Sequence, residues 1–165
     1  MYHLTEAYLL AAFISLLAAG WGALVAGSSA VPVLFARTLE PAQASVVLRR
    51  YWPGYFKFAI ALGLGALGVI ALAGPFSALP LSYTLLLSAL AALMTALFYT
   101  AWALIPRINA ARDATDGESN GDFDRLHRLN VALTGAGLLL GIVLLAALIY
   151  VLPGQFTFWP TATGH

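Results

Sequence analysis

Cysteine is absent from the 165-residue chain, which excludes a disulfide framework, thiolate catalysis and any thiolate metal site, and leaves the redox character of its compartment unreadable. Charge is nearly as scarce. Only 9% of residues are charged and 61% are hydrophobic, whereas soluble globular proteins carry about 25% charged residues. So few charges cannot cover a soluble surface, and lipid must be the solvent for most of the chain. The formal net charge of +1 gives no dense basic patch for neutralising phosphates, which excludes nucleic acid as a partner. The N-terminus lacks the basic stretch of a signal peptide, with Glu6 where Lys or Arg would stand, so the first hydrophobic run is expected to be a retained span.

The charge that exists is concentrated. Of 8 Lys and Arg and 7 Asp and Glu, Arg107, Arg112, Asp113, Asp116, Glu118, Asp122, Asp124, Arg125 and Arg128 fall in one run between apolar stretches. That run reads as a water-facing loop joining two membrane spans. Apolar runs at about 7–35, 55–79, 81–105 and 126–152 are each long enough to cross a bilayer, which takes about 20 residues. The expected fold is an all-α integral membrane protein, a four-transmembrane-helix bundle forming one domain over residues 1–165. Pro32 is expected to kink or end the first span. Residues 41–52 place Ala44, Val47, Leu48 and Tyr51 on one side, which predicts a short interfacial amphipathic helix between spans one and two; a loop helix packed on the bundle is the alternative. The tail after 152 is polar-aromatic and expected at the interface.

Loop charge sets an orientation. All 8 Lys and Arg lie around the first and third connections, at Arg37, Arg49, Arg50 and Lys57 and in the acidic-basic loop. Positive residues mark the cytoplasmic side. The expected location is therefore a bacterial inner (cytoplasmic) membrane, multi-pass, with both termini on the non-cytoplasmic side.

Gly63, Gly65 and Gly68 spell GxGxxG, but no strand precedes them and no polar turn surrounds them, so they are no dinucleotide fingerprint. Ala61, Gly65 and Gly68 read instead as a groove for close helix approach. Span three carries the rows Ser88, Ala92, Ala96, Thr100 and Ser88, Ala92, Thr95, Tyr99, Trp102. In span four Phe123, His127, Asn130, Thr134, Gly137 and Gly141 recur at three and four residues, along one seam. Candidate helix-packing positions are thus Gly65, Gly68, Ala92, Ala96, Gly137 and Gly141.

Polar side chains on that seam should face the bundle interior. With residues of like depth on the other spans they predict a polar patch of Ser28, Ser29, Tyr99, His127, Asn130 and Thr134. One reading is a set of interhelical hydrogen bonds, worth only about 0.6 kcal/mol each. The other is a proton, metal or small-ligand site centred on His127. A lone His with one amide makes poor metal chemistry, since a closed zinc site takes four ligands, and no paired intramembrane carboxylate offers a proton relay. No cofactor, metal site or catalytic residue is expected. Asp122 is read as the N-cap of span four, with Asp124 and Arg128 as an i, i+4 pair.

Four pieces in order resemble the transmembrane-protein-205-like group, a family of membrane proteins whose bacterial members are described mainly as a domain of unknown function. They are Pro32-Val33-Leu34-Phe35, Tyr51-Trp52-Pro53-Gly54-Tyr55-Phe56, Pro106-Arg107-Ile108-Asn109 with Arg112-Asp113, and Phe123 with Leu126-His127. Members of that group tend to carry Ser soon after the Leu-His pair, where this chain has Leu129-Asn130. The resemblance implies a four-helix membrane protein and brings no reaction with it. Two function classes follow. One is a non-catalytic structural or assembly subunit of a larger respiratory or photosynthetic inner-membrane complex, in contact with other membrane subunits or its own copies. The other is a small transporter or ligand-binding module that uses the polar patch.

Overall fold

A computed structural model describes residues 2–73, 80–114 and 121–151, with side chains over 11–71, 80–114 and 121–150. The expected uncharged turn at 74–79, the loop acids Asp116 and Glu118, and the interfacial tail from 152 onward lie outside the described residues. Four helices make up the fold: α1 (Tyr2–Thr38), α2 (Pro41–Ala73), α3 (Leu81–Asp113) and α4 (Gly121–Val151). All four are apolar and long enough to cross a membrane, so the protein is an all-α, four-span integral membrane protein in contact with the bilayer. At about 1.5 Å per residue, helices of 31 to 37 residues are ~46–55 Å long. The hydrocarbon core is only about 30 Å thick, so the helices overhang it.

The overhang accounts for two departures from the sequence reading. Residues 41–52 do not form a separate interfacial helix; they are the first turns of α2, which runs unbroken through Pro53. Nor does Pro32 end α1, which continues to Thr38. A proline removes only the bond from its own missing N–H to the carbonyl four residues earlier. Near a helix end, where water can serve that carbonyl, the helix runs on. Asp122 is likewise inside the first turn of α4, which begins at Gly121, and is not its N-cap. There its carboxylate still favours the positive helix end.

Contacts fix the topology. Gly20 of α1 faces Leu62 of α2, Gly63 of α2 faces Thr95 of α3, Gly137 of α4 faces Phe98 of α3, and Gly141 of α4 faces Trp21 of α1. Gly27 of α1 likewise meets Tyr51 and Tyr55 of α2, Arg49 of α2 reaches Asp113 of α3, and Asn130 of α4 reaches Ala101 of α3. Residue numbers thus rise on one partner as they fall on the other, so neighbouring helices are antiparallel and close into a ring. α3 packs extensively on α2 and α4, while α1 completes the ring with thinner contacts to both. The core seam of α3 is Leu87, Ala91, Met94, Phe98, Ala101, Leu104 and Ile108, the three- and four-residue alternation of antiparallel bundles. Around it gather Leu17, Trp21 and Leu24 of α1, Tyr55, Phe56, Ala59, Ala66 and Ile70 of α2, and Leu144 and Leu148 of α4. Trp21 meets Phe98 edge to face, with ring centroids 6.0 Å apart.

At Gly141 the approach of two helices requires the absence of a side chain. A Cβ built there would run into the six-membered edge of the Trp21 indole. Gly137 is similar, with its Cβ position 2.9 Å from Cζ of Phe98. The expected packing glycines of α2 are placed differently. Nothing lies within 4 Å of a Cβ at Gly65 or Gly68, and it is Gly63 that meets α3. Ala92 and Ala96 of α3 are also exposed, while Ala91 is buried. The small-residue faces of α2 and α3 thus point away from this bundle.

Candidate functional site

The antiparallel ring brings the end of α1, the start of α2, the end of α3 and the start of α4 to one end of the bundle. All 8 Lys and Arg of the chain are in these helix ends. Between the four helices at this end opens a cleft of about 410 Å³, within the range of about 300–1,000 Å³ usual for ligand pockets. It reaches inward from Arg49 and Arg112 past Ser28 and Thr134 to Leu138, and at about 1.5 Å per residue its inner end lies ~15–25 Å from the helix ends.

The span-four seam does face the interior, with burial rising inward: His127 is exposed, Asn130 half-buried, and Thr134, Gly137 and Gly141 buried. Asn130 donates from Nδ2 to the Ala101 carbonyl across the α3–α4 interface at 2.7 Å. Thr134 Oγ1 donates to the Asn130 carbonyl at 2.8 Å, within its own helix. On α1, Ser28 and Ser29 both donate back to the Val25 carbonyl, at 3.0 and 2.7 Å. Tyr55 Oη donates to the Leu24 carbonyl at 3.2 Å and ties α2 to α1. Pro32 has no N–H for the Ser28 carbonyl, and both residues line the cleft.

Of the six residues expected in a polar patch, Ser28, His127, Asn130 and Thr134 line this cleft. Ser29 is exposed beside it. Tyr99 does not join them: it is 56% exposed and lies against Trp102 on the outer face of α3. Phe98, one position earlier, holds the inward register instead, because its ring carries no hydroxyl that would need a partner in the core. His127 is stacked on Phe123, with ring planes 10° apart and centroids 5.7 Å apart. It sits at the cleft's mouth, not at its centre. Among the described residues, no three His, Cys, Asp or Glu side chains gather where they could hold a metal ion.

The residues that sequence reasoning missed are at the rim. Arg49 of α2 clasps Asp113 at the end of α3 with both guanidinium nitrogens, Nη1 to Oδ2 at 3.2 Å and Nη2 to Oδ1. Their side chains are 35% and 58% exposed. Beside them Arg112 lies over the Phe123 ring, 4.8 Å from its centroid, and donates to Ser45 Oγ at 3.5 Å. These contacts join helices far apart in sequence, and only the concentration of charge at these helix ends foreshadowed them.

The walls are apolar: Pro32, Leu48, Trp52, Phe56, Val131 and Leu138 are among them. Chemically the cleft is therefore two-faced, with guanidinium groups at the mouth and hydrocarbon within. No curated protein and no solved structure matches the chain. A family model matches residues 15–116, from within α1 to just past the end of α3, leaving the α4 wall of the cleft outside the matched stretch. That match covers more than half of the 165 residues, and the chain belongs to the family described as domain of unknown function (DUF4149).

Proposed function

We infer that this protein is a non-catalytic membrane component that works by docking its helices against other membrane proteins, as a structural or assembly subunit. The observation that carries this reading is the bare face of α2. Gly65 and Gly68 have open space where a Cβ would stand, and Ala61 beside them is exposed. Ala92 and Ala96 of α3 are exposed at similar depth, given that Gly63 meets Thr95. Small-residue faces gain most when another helix packs into them, since lipid chains have no preference for a backbone groove.

The distribution of Lys and Arg supports an inner-membrane orientation with the cleft on the cytoplasmic side and both termini opposite. A Cys at Ser119 should then resist impermeant thiol reagents in intact cells and react after permeabilisation; labelling in intact cells would reverse the topology. The four ordered motifs support kinship with the transmembrane-protein-205-like group. For docking, the test is Gly65→Leu with Gly68→Leu, and separately Ala92→Leu with Ala96→Leu, followed by native mass spectrometry of detergent extracts. At least one pair should release a bound partner while the bundle stays helical and monodisperse. Retention of every partner by both variants, or wild type that carries none, would sink the reading. One observation favours a second reading, binding of a small ligand: the open cleft at the charged end.

A further inference from the structure

We propose that the cleft binds a neutral single-chain lipid taken from the membrane, its hydroxyl head on the Ser28 carbonyl and its chain leaving between α1 and α4. The inference rests on the ligand-binding reading and adds the chemical class, the point of attachment and the route of entry.

Neutrality follows from charges that are already matched. Among the described residues the lining carries two fixed charges, Arg49 and Arg112. Arg49 is clasped by Asp113. Arg112 lies over Phe123, donates to Ser45 Oγ and is engaged further, as are Asp122 and Asp124 in the first turn of α4. An ionic guest would bring a charge with no waiting counterpart against apolar walls, a desolvation cost that a neutral guest does not meet. Deeper in, the side-chain donors are taken by the protein's own carbonyls: Ser28 on Val25, Asn130 on Ala101 and Thr134 on Asn130. An acceptor is left over. Pro32 has no N–H to give the Ser28 carbonyl, and residues four apart share one helix face, so that carbonyl lies along the stretch of α1 that Ser28 and Pro32 present to the cleft. A guest that matches this wall is apolar and brings one donor, which a hydroxyl supplies.

The route follows from the divergence of two helices. At Gly141, α4 is pressed against Trp21 of α1. Nearer the charged end, Gly135 has nothing within 4 Å of a Cβ, and with Val131 it lines the cleft opposite Ser28 and Pro32 of α1. The cleft therefore opens sideways between α1 and α4, about 9 Å along the helix from the Trp21–Gly141 joint. Val131 and Leu139, one turn to either side of Gly135 on the same face, are 57% and 66% exposed, an apolar surface suited to acyl chains. A volume of about 410 Å³ is that of roughly fourteen waters at about 30 Å³ each, enough for a small head and the upper part of one chain. A ligand without a chain would leave the apolar walls unfilled.

The test uses the full chain in phosphatidylcholine nanodiscs. Trp52 lines the cleft, so the fluorescence difference between wild type and Trp52→Phe reports occupancy. Dodecanol, its methyl ether and dodecyl phosphate are titrated in parallel, each as a mole fraction of the bilayer, so that partition into lipid drops out. Dodecanol should bind saturably and about fivefold more tightly than the ether, as one neutral hydrogen bond allows, with dodecyl phosphate weaker than dodecanol. Pro32→Ala returns an N–H to the Ser28 carbonyl and should erase the preference for alcohol over ether while both still bind, an outcome that a loosened fold would not give. Gly135→Leu adds a side chain in open space and should close the opening, abolishing the binding of alcohol and ether alike. Tighter binding of dodecyl phosphate than of dodecanol would overturn the neutral class. Equal binding of ether and alcohol by wild type, or a preference that survives Pro32→Ala, would overturn the attachment to Ser28, and unchanged binding by Gly135→Leu the route. Each of these leaves the ligand-binding reading standing, whereas no saturable signal from any of the three sinks both.

Discussion

One added methyl at Gly141 tests the joint that closes the helix ring. A Cβ there meets the Trp21 indole along its six-membered edge, and that ring cannot swing away freely, because Trp21 is buried against Phe98 in the core. Overpacking of this kind costs up to about 3 kcal/mol. Replacing a helical Gly by Ala returns about 1 kcal/mol, so Gly141→Ala should lose a net ~2 kcal/mol, roughly 30-fold in the folding equilibrium. Gly65→Ala is the matched control. It adds the same methyl in open space and should gain up to about 1 kcal/mol. In thermal unfolding of detergent-solubilised protein the two should move apart, by about 2–4 °C per kcal/mol for a chain of this size. Trp21→Phe should recover part of the Gly141→Ala loss, since the smaller ring withdraws from the methyl, and the recovery measures the coupling directly. If Gly141→Ala matches Gly65→Ala in direction and size, or if Trp21→Phe and Gly141→Ala add without coupling, α1 does not close on α4 as described.

Three smaller effects are expected. Arg49→Ala, Asp113→Ala and the double variant should be close to additive in a double-mutant cycle, because water screens so exposed a pair; a strong coupling would mean a rim far drier than its exposure. Asn130→Ala should lower stability by about 1 kcal/mol through loss of its interhelical hydrogen bond to the Ala101 carbonyl, read by the same thermal assay, and an unchanged midpoint would count against the bond across α3 and α4. His127→Ala should stay within about 0.5 kcal/mol of wild type, because an exposed ring stacked on Phe123 holds nothing in the core; a large loss would place His127 in the core contacts after all.

The spans were legible because charge-free runs of span length have one explanation. Asn130 and Thr134 were legible too, since amide and hydroxyl groups in an apolar helix must turn inward. What escaped was rotational phase and helix length. Gly63 and Gly65 differ by two positions, about 200° around a helix, and only the place of Thr95 on α3 decides which one faces in. Tyr99 and Phe98 differ by one position, and the contest between them was settled by packing that no spacing records. The ends were misread at residues 41–52 because charge and proline look like a break, while a helix projecting beyond hydrocarbon tolerates both. The Arg49–Asp113 clasp joins two charges that sequence separates by a whole span, and its partners could not be chosen among the other charges at that end.

The ring has a consequence for biosynthesis. α3 can pack on α2 as soon as both have entered the membrane, but the Trp21–Gly141 joint unites the first span made with the last. Until α4 is inserted, Trp21 has no glycine to receive it, and α1 is held only by its contacts with α2 and the meeting of Trp21 with Phe98 of α3. Any helper protein that shelters unfinished membrane chains would find α1 to be the segment exposed longest, and truncation before Gly121 should leave that segment as the mark by which the chain is recognised and degraded.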